Sequence, residues 1–190
     1  MSLFYIVIGF VVLQRLGELG LAARNTRALR AAGAIEFDHS GYPLFVLLHG
    51  AWLVSQAVLI PASAIPSWPL LTVFAALQAA RIWVIASLGR NWTTRIIVSS
   101  DTPLVRTGPY RFLRHPNYLI VAAEIAVLPL AFGAVGIALV FSVGNLVLLV
   151  RRVRIEGVRS PCAREKNLMM RSRGRVARQT TPRYPVTQVT

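Results

Sequence analysis

Residues Gly108 to Leu119 read GPYRFLRHPNYL, and Arg152 and Glu156 follow some forty positions later. Between them these residues supply an imidazole (His115), two phenols (Tyr110 and Tyr118), a guanidinium (Arg152) and a carboxylate (Glu156). They stand at the threshold of the longest apolar stretch of the chain, where such a set could hold a charged, water-borne group against a lipid-borne one. Arg152 and Glu156 are four apart, so on a continuing helix they share a face. If the chain folds back on itself between Tyr118 and Val150, all five residues could line one pocket at a membrane boundary. The plainer alternative is a collar of snorkelling arginines with an aromatic belt. Spacing alone does not choose between the two.

The elements that must position these residues are apolar helices. Leu3–Ala23, Tyr42–Ile60 and Trp68–Leu88 each match the ~20 residues that a spanning helix needs. Pro43 and Pro69 sit near the starts of the second and third, where a missing N–H costs little. Tyr118–Val150 is too long for one span and short for two, with Pro129, Gly133 and Gly136 in its middle. It is either one kinked helix or a hairpin. The basic residues choose. All but Arg15 and Arg81 of the 21 Lys and Arg lie in the first loop, in the third loop, or from Arg151 onward. The second connection, Ile60 to Ser67, carries no charge. A hairpin at Phe132–Val135 puts all three basic segments on one side, the cytoplasm by the positive-inside rule. The expected fold class is therefore all-α: an integral membrane bundle of five transmembrane helices, the last two a short helical hairpin. Its N-terminus lies outside and its C-terminus inside. Met1–Ala23 lacks a basic n-region and reads as a retained first span rather than a signal peptide.

Composition agrees. Of 190 residues, 55% are apolar and only 15% charged, which is not the balance of a soluble domain. The net charge of +14 is explained by topology and contact with anionic lipid, so nucleic acid is not an expected partner. One cysteine, Cys162, leaves neither an internal disulfide framework nor a cysteine-based zinc site, and no metal is expected. Residues 1–156 read as one membrane domain, with 89–156 as its cofactor-binding part. Residues 157–190 read as a basic, disordered tail, because apolar periodicity stops after Glu156. An altered reading frame or a truncated natural end would account for that abrupt change.

The stretch LVRTGPYRFLRHPNYL resembles the signature of the isoprenylcysteine carboxyl methyltransferase family, which carries G-x-Y-x-x-x-R-H-P-x-Y before a helical hairpin. LGRNWTTRIIV, Leu88 to Val98, is similar to bacterial members. The resemblance runs from about Gly89 to Glu156. It implies an integral membrane methyltransferase that uses S-adenosylmethionine. It further implies cofactor contacts from Thr102, Pro103, Leu104 and Val105, from Tyr110, from His115, Pro116, Asn117 and Tyr118, and from Glu156. Arg152, one turn before that glutamate, is implied in positioning the substrate. Thr102 stands where the family has a histidine, and the family's continuation after the glutamate is replaced here by EGVRS. The chemistry of the residues is compatible with these roles. Tyrosines and Pro116 offer flat surface to adenine and to a cationic centre. Glu156 can accept from hydroxyl or amino groups. Arg152 can hold an ionised acceptor by a charge-assisted pair. The acceptor implied is lipophilic: an isoprenylcysteine-type carboxylate, or the hydroxyl of a long-chain polyketide such as an alkylpyrone or alkylresorcinol. Two other readings stay open. One is an NADPH-dependent membrane reductase of steroid-like or enone lipids. The other is a non-enzymatic membrane protein with a degraded cofactor site. The localisation expected is a bacterial cytoplasmic membrane, with the cofactor site facing the cytoplasm.

Five ionisable residues, Arg15, Glu18, His49, Arg81 and Glu124, fall inside predicted spans, where charge is costly and carries meaning. Glu124 either polarises a substrate hydroxyl or pairs with Arg81. Glu18 with Arg15 reads as an ion pair near the interface. His49 reads as a hydrogen-bonded packing residue, and Trp92 as an interfacial anchor.

Overall fold

A computed structural model of the chain describes residues 2–37, 41–98 and 107–159. Five helices form: α1 (Leu3–Ala31), α2 (Tyr42–Leu59), α3 (Trp68–Leu88), α4 (Pro116–Ala131) and α5 (Val135–Arg159). Three of them carry proline in their first two positions, where the backbone N–H has no intrahelical acceptor. α1 continues eight residues past the expected end at Ala23, through a stretch rich in the helix formers Ala, Leu and Arg.

The expected fold-back is present. Phe132 to Ala134 reverse the chain, with Gly133 at φ 74°, a conformation that a side chain resists. The Phe132 and Ala134 N–H groups donate to the Pro129 carbonyl at 3.1 and 2.9 Å, and the Gly133 N–H donates to that of Leu130 at 3.0 Å. Only one arm is short, contrary to expectation: α4 has 16 residues, but α5 has 25. The helix of α5 runs on into the arginine-rich segment because nothing before position 159 breaks it. At 16 residues α4 rises about 24 Å, less than the ~30 Å of a hydrocarbon core. The other four helices are long and apolar enough to cross a membrane.

The burial pattern is inverted relative to a soluble protein. Gln56, Gln78, Arg81, Glu124 and Asn145 are buried, whereas Leu13 and Val58 are 71% and 73% exposed. Polar groups inside and large aliphatic groups outside suit a hydrocarbon solvent. The interior is bound by Phe4, Ile8 and Val11 of α1, Trp52 of α2, Phe74 of α3 and Ile125 and Leu128 of α4. The Trp52 indole N–H donates to the Ile125 carbonyl at 3.2 Å, which fixes α2 against α4. At the other end, the Ser67 N–H donates to the Ala131 carbonyl at 2.7 Å.

The all-α bundle carries one short addition. Ile35–Phe37 (β1) and Ile96–Val98 (β2) pair as an antiparallel ribbon, with Glu36 opposite Ile97. Each strand has three residues and the partners are some sixty positions apart, so no periodicity announces them. Side chains hold the ribbon in place. Arg95 donates to Glu36 at 2.6 Å and lies over the Tyr42 ring at 4.4 Å. Arg30 at the end of α1 also pairs with Glu36. The ribbon thereby ties the α1–α2 connection to the segment that follows α3.

Candidate active site

A cavity of about 260 Å³ lies between α1, α2, α4 and α5, with Arg81 of α3 at its inner end, under residues 92–94. Its outer end is lined by Tyr42, Trp92, Thr94, Asn117, Tyr118 and Arg152. Its walls are aliphatic, among them Val12, Leu16, Val46, Leu53 and Val121. Its inner end reaches Arg15, Glu18, His49 and Arg81. Tyr118 and Glu124 are six residues apart on α4, so the two ends are separated by about 9 Å of helix rise.

Arg152 is the centre of the outer end. It is 9% exposed, and its Nη1 donates to the Thr94 carbonyl at 3.1 Å. Its guanidinium carbon lies 5.4 Å from the Phe45 ring centre and 5.6 Å from that of Tyr118, within cation–π range. The His115 ring stacks on Tyr118, with centroids 5.1 Å apart and planes 4° apart. Imidazole, phenol and guanidinium thus form one layered column. Asn117 Oδ1 and Trp92 Nε1 are buried without a hydrogen-bond partner among the described residues. Both residues line the cavity, and an unmade buried hydrogen bond is costly unless a ligand or water completes it.

The motif residues divide. Asn117, Tyr118 and Arg152 line the cavity. His115 stands behind Tyr118, and Pro116 is buried at the start of α4. Tyr110 packs against the cluster of Leu88, Trp92 and Ile120. Thr102, Pro103, Leu104 and Val105 lie outside the described residues, as does the Glu156 side chain. The helix of α5 does continue through position 156, so positions 152 and 156 lie one turn apart. The tail from residue 160 also lies outside the described residues.

Gly108, seven residues before His115, lies against Ser87 and Trp83 of α3. Its φ is +58°, and a Cβ there would run into Ser87 Oγ and lie 3.2 Å from Ser87 Cβ. Gly108→Ala is therefore expected to destabilise the protein by about 1–2 kcal/mol from backbone conformation alone, with more from the contact. Adding Ser87→Ala should recover only part, because the φ penalty remains. Thermal unfolding in detergent checks both, and an unchanged midpoint for Gly108→Ala would refute the argument.

The inner end is an ion cluster from three helices. Glu124, 0% exposed, accepts from Arg15 at 2.6 Å, Gln78 at 2.9 Å and Arg81 at 3.1 Å. Glu18 accepts from Arg81 at 2.5 and 2.6 Å, and from Arg15 and Gln14 at 3.1 Å. The expected Arg81–Glu124 and Arg15–Glu18 pairs both form, but as one network rather than two. Glu124 does not line the cavity; it sits behind Arg15 and Arg81. The Nδ1 of His49 lies 2.8 Å from the Phe45 carbonyl, the packing hydrogen bond expected of it, yet the ring also faces the cavity.

Trp92 is 1% exposed, not an anchor at the interface. It is drawn in by Asn25, whose Nδ2 donates to the Trp92 carbonyl at 2.8 Å and to that of Gly89 at 3.1 Å. Tyr42, Phe45 and Thr94 were not singled out in the sequence. Tyr42, Phe45 and His49 do follow helical spacing on α2, and that one polar-aromatic face is the signal available for them.

A family model for the isoprenylcysteine carboxyl methyltransferase (ICMT) family matches residues 70–159. The uncharacterized protein YpbQ of Bacillus subtilis (strain 168) is 36% identical to this chain over 158 residues, which cover 81% of this chain and 94% of that protein. No solved structure matches.

Proposed function

Because the chain belongs to the isoprenylcysteine carboxyl methyltransferase family, we propose that it is an S-adenosylmethionine-dependent O-methyltransferase acting on a lipophilic acceptor in the cavity described above. The observation that carries this reading is the convergence of Asn117, Tyr118 and Arg152 at one end of an otherwise aliphatic cavity. The residues fit the cofactor. Asn117 Oδ1 and Trp92 Nε1 are buried polar atoms in want of partners, suited to amino and hydroxyl groups. Tyr118, backed by the His115 stack, offers its aromatic edge in the cavity to adenine. Thr102, Pro103, Leu104, Val105, Tyr110, Pro116 and Glu156 complete the proposed contacts.

When bound, the cofactor supplies an electrophilic methyl group on a sulfonium sulfur. The chain's part is to orient the acceptor and exclude water. Arg152 holds the acceptor oxygen and favours its ionised form. The aliphatic walls keep the site dry, so that opposite charges meet without competing solvation. An in-line transfer asks for positioning rather than for a covalent nucleophile. Glu124 serves this reading from behind, by fixing Arg15 and Arg81. The acceptor is an isoprenylcysteine-type carboxylate or a long-chain polyketide hydroxyl. With the arginine-rich segments at the cytoplasmic face, the N-terminus lies outside and the cofactor arrives from the cytoplasm.

The test is binding of S-adenosylmethionine and of NADPH to detergent-solubilised protein. Wild type should bind the first and not the second. His115→Ala should weaken S-adenosylmethionine binding by about tenfold, through loss of the stack on Tyr118. NADPH binding alone would favour a reductase, and unchanged affinity in His115→Ala would reject this placement of the site.

A further inference from the structure

The ion cluster at the inner end of the cavity is nearly closed on itself. Arg81 commits Nε and Nη2 to Glu18 and Nη1 to Glu124. Arg15 gives Nη1 to Glu18 and Nη2 to Glu124. Two guanidiniums balance two carboxylates. One guanidinium nitrogen makes no such bond: Arg15 Nε is buried and has no hydrogen-bond partner among the described residues. Arg15 lines the cavity, and so does His49 on α2. The His49 Nδ1 lies 2.8 Å from the Phe45 carbonyl. A carbonyl only accepts, so Nδ1 carries the proton. In the neutral ring that leaves Nε2 as an acceptor.

We propose that this inner end is a second polar subsite, in which Arg15 Nε–H and His49 Nε2 hold a neutral hydroxyl carried by the acceptor inside the bilayer. The proposal rests on the methyltransferase reading and narrows its substrate class. A donor and an acceptor among the residues that line the same cavity match a hydroxyl, which both accepts and donates. The group must be neutral, because the cluster is already balanced and an added charge would stand uncompensated in a medium of low dielectric. The subsite lies about 9 Å from the level of Tyr118, by the rise of α4. The acceptor is therefore an amphiphile with two oxygen functions near its head, rather than a single polar head on a plain hydrocarbon tail. A plain tail in this position would keep water away from Arg15 Nε and give it nothing in return.

The test compares two probes that differ by one hydroxyl, 5-pentadecylresorcinol and 3-pentadecylphenol, titrated against the full chain in nanodiscs. Wild type should bind the resorcinol about tenfold more tightly. His49→Phe should reduce that ratio to about twofold or less, by removing the Nε2 acceptor at similar ring size. Arg15→Lys, which keeps the charge and loses the Nε donor, should do the same, and it serves where His49→Phe fails to fold. Equal affinity for both probes in wild type would overturn the proposal, as would a preference that survives the substitutions. Methyl transfer to either probe with S-adenosylmethionine is scored separately. Transfer without discrimination removes the subsite and keeps the enzyme; discrimination with no cofactor binding keeps the subsite and removes the enzyme.

Discussion

Arg81→Leu is expected to cost the folded bundle roughly 3–5 kcal/mol, the range for breaking a buried ion network by removing one partner. Arg81 gives three hydrogen bonds, two to Glu18 and one to Glu124. Without it, two buried carboxylates face Arg15 alone, and one negative charge is left unbalanced among apolar helices. The leucine itself is well suited to the site, so the loss is not one of packing. That distinction makes the prediction sharp. Adding Glu18→Leu to Arg81→Leu restores a balanced pair, because Arg15 already donates to Glu124 at 2.6 Å, and most of the stability should return. Denaturant unfolding in mixed micelles measures both proteins. If the single variant unfolds like wild type, or if the double variant is no better than the single, charge balance is not what holds these three helices together.

The cluster also marks where sequence reading stops. Arg15–Glu18 and Arg81–Glu124 were legible as pairs, the first from spacing on one helix and the second from the scarcity of other partners in a span. Their union was not, because it depends on α1 meeting both α3 and α4 at one depth. Two helix starts were legible because Pro43 and Pro69 mark them, whereas α4 was expected from Tyr118 and begins at Pro116. The fold-back at Gly133 was legible because the arginines would otherwise lie on opposite sides. The ribbon was not: three-residue strands carry no period, and Glu36 gives no sign of a partner at Arg95. Trp92 was misjudged for a related reason. An indole beside a basic loop suits an interface, and only the distant Asn25 draws its backbone inward. Of the residues that line the cavity, Asn117 and Tyr118 were singled out by the motif and Arg152 by its place one turn before Glu156. Thr94 was not, since it contributes a backbone carbonyl, and a carbonyl has no residue type to read.

Arg152 is the residue on which the proposed chemistry depends most. Arg152→Ala is expected to lower kcat/KM for methyl transfer by about 10²–10³, comparable to removing one preorganised charged or polar stabiliser from a dry site, about 2.7–4 kcal/mol. Its guanidinium is fixed before any acceptor arrives, by the Thr94 carbonyl at 3.1 Å and by the rings of Phe45 and Tyr118. It therefore costs little reorganisation when the acceptor oxygen is presented. Cofactor affinity should stay within about threefold, because the cofactor contacts proposed here come from other residues. Arg152→Lys should recover only part of the loss. An ammonium keeps the charge, but it cannot reproduce a planar fork anchored at one nitrogen and held within cation–π range of two rings. The comparison runs on two acceptors, N-acetyl-S-farnesylcysteine and 5-pentadecylresorcinol. A carboxylate arrives ionised and uses Arg152 chiefly for binding, so its loss should fall mainly on KM. A phenol must first pass its proton to solvent water at the outer mouth beside the same cation, so its loss should fall mainly on kcat. If Arg152→Ala stays within threefold of wild type on both acceptors, the acceptor oxygen is held elsewhere in the cavity and the assignment of Arg152 falls.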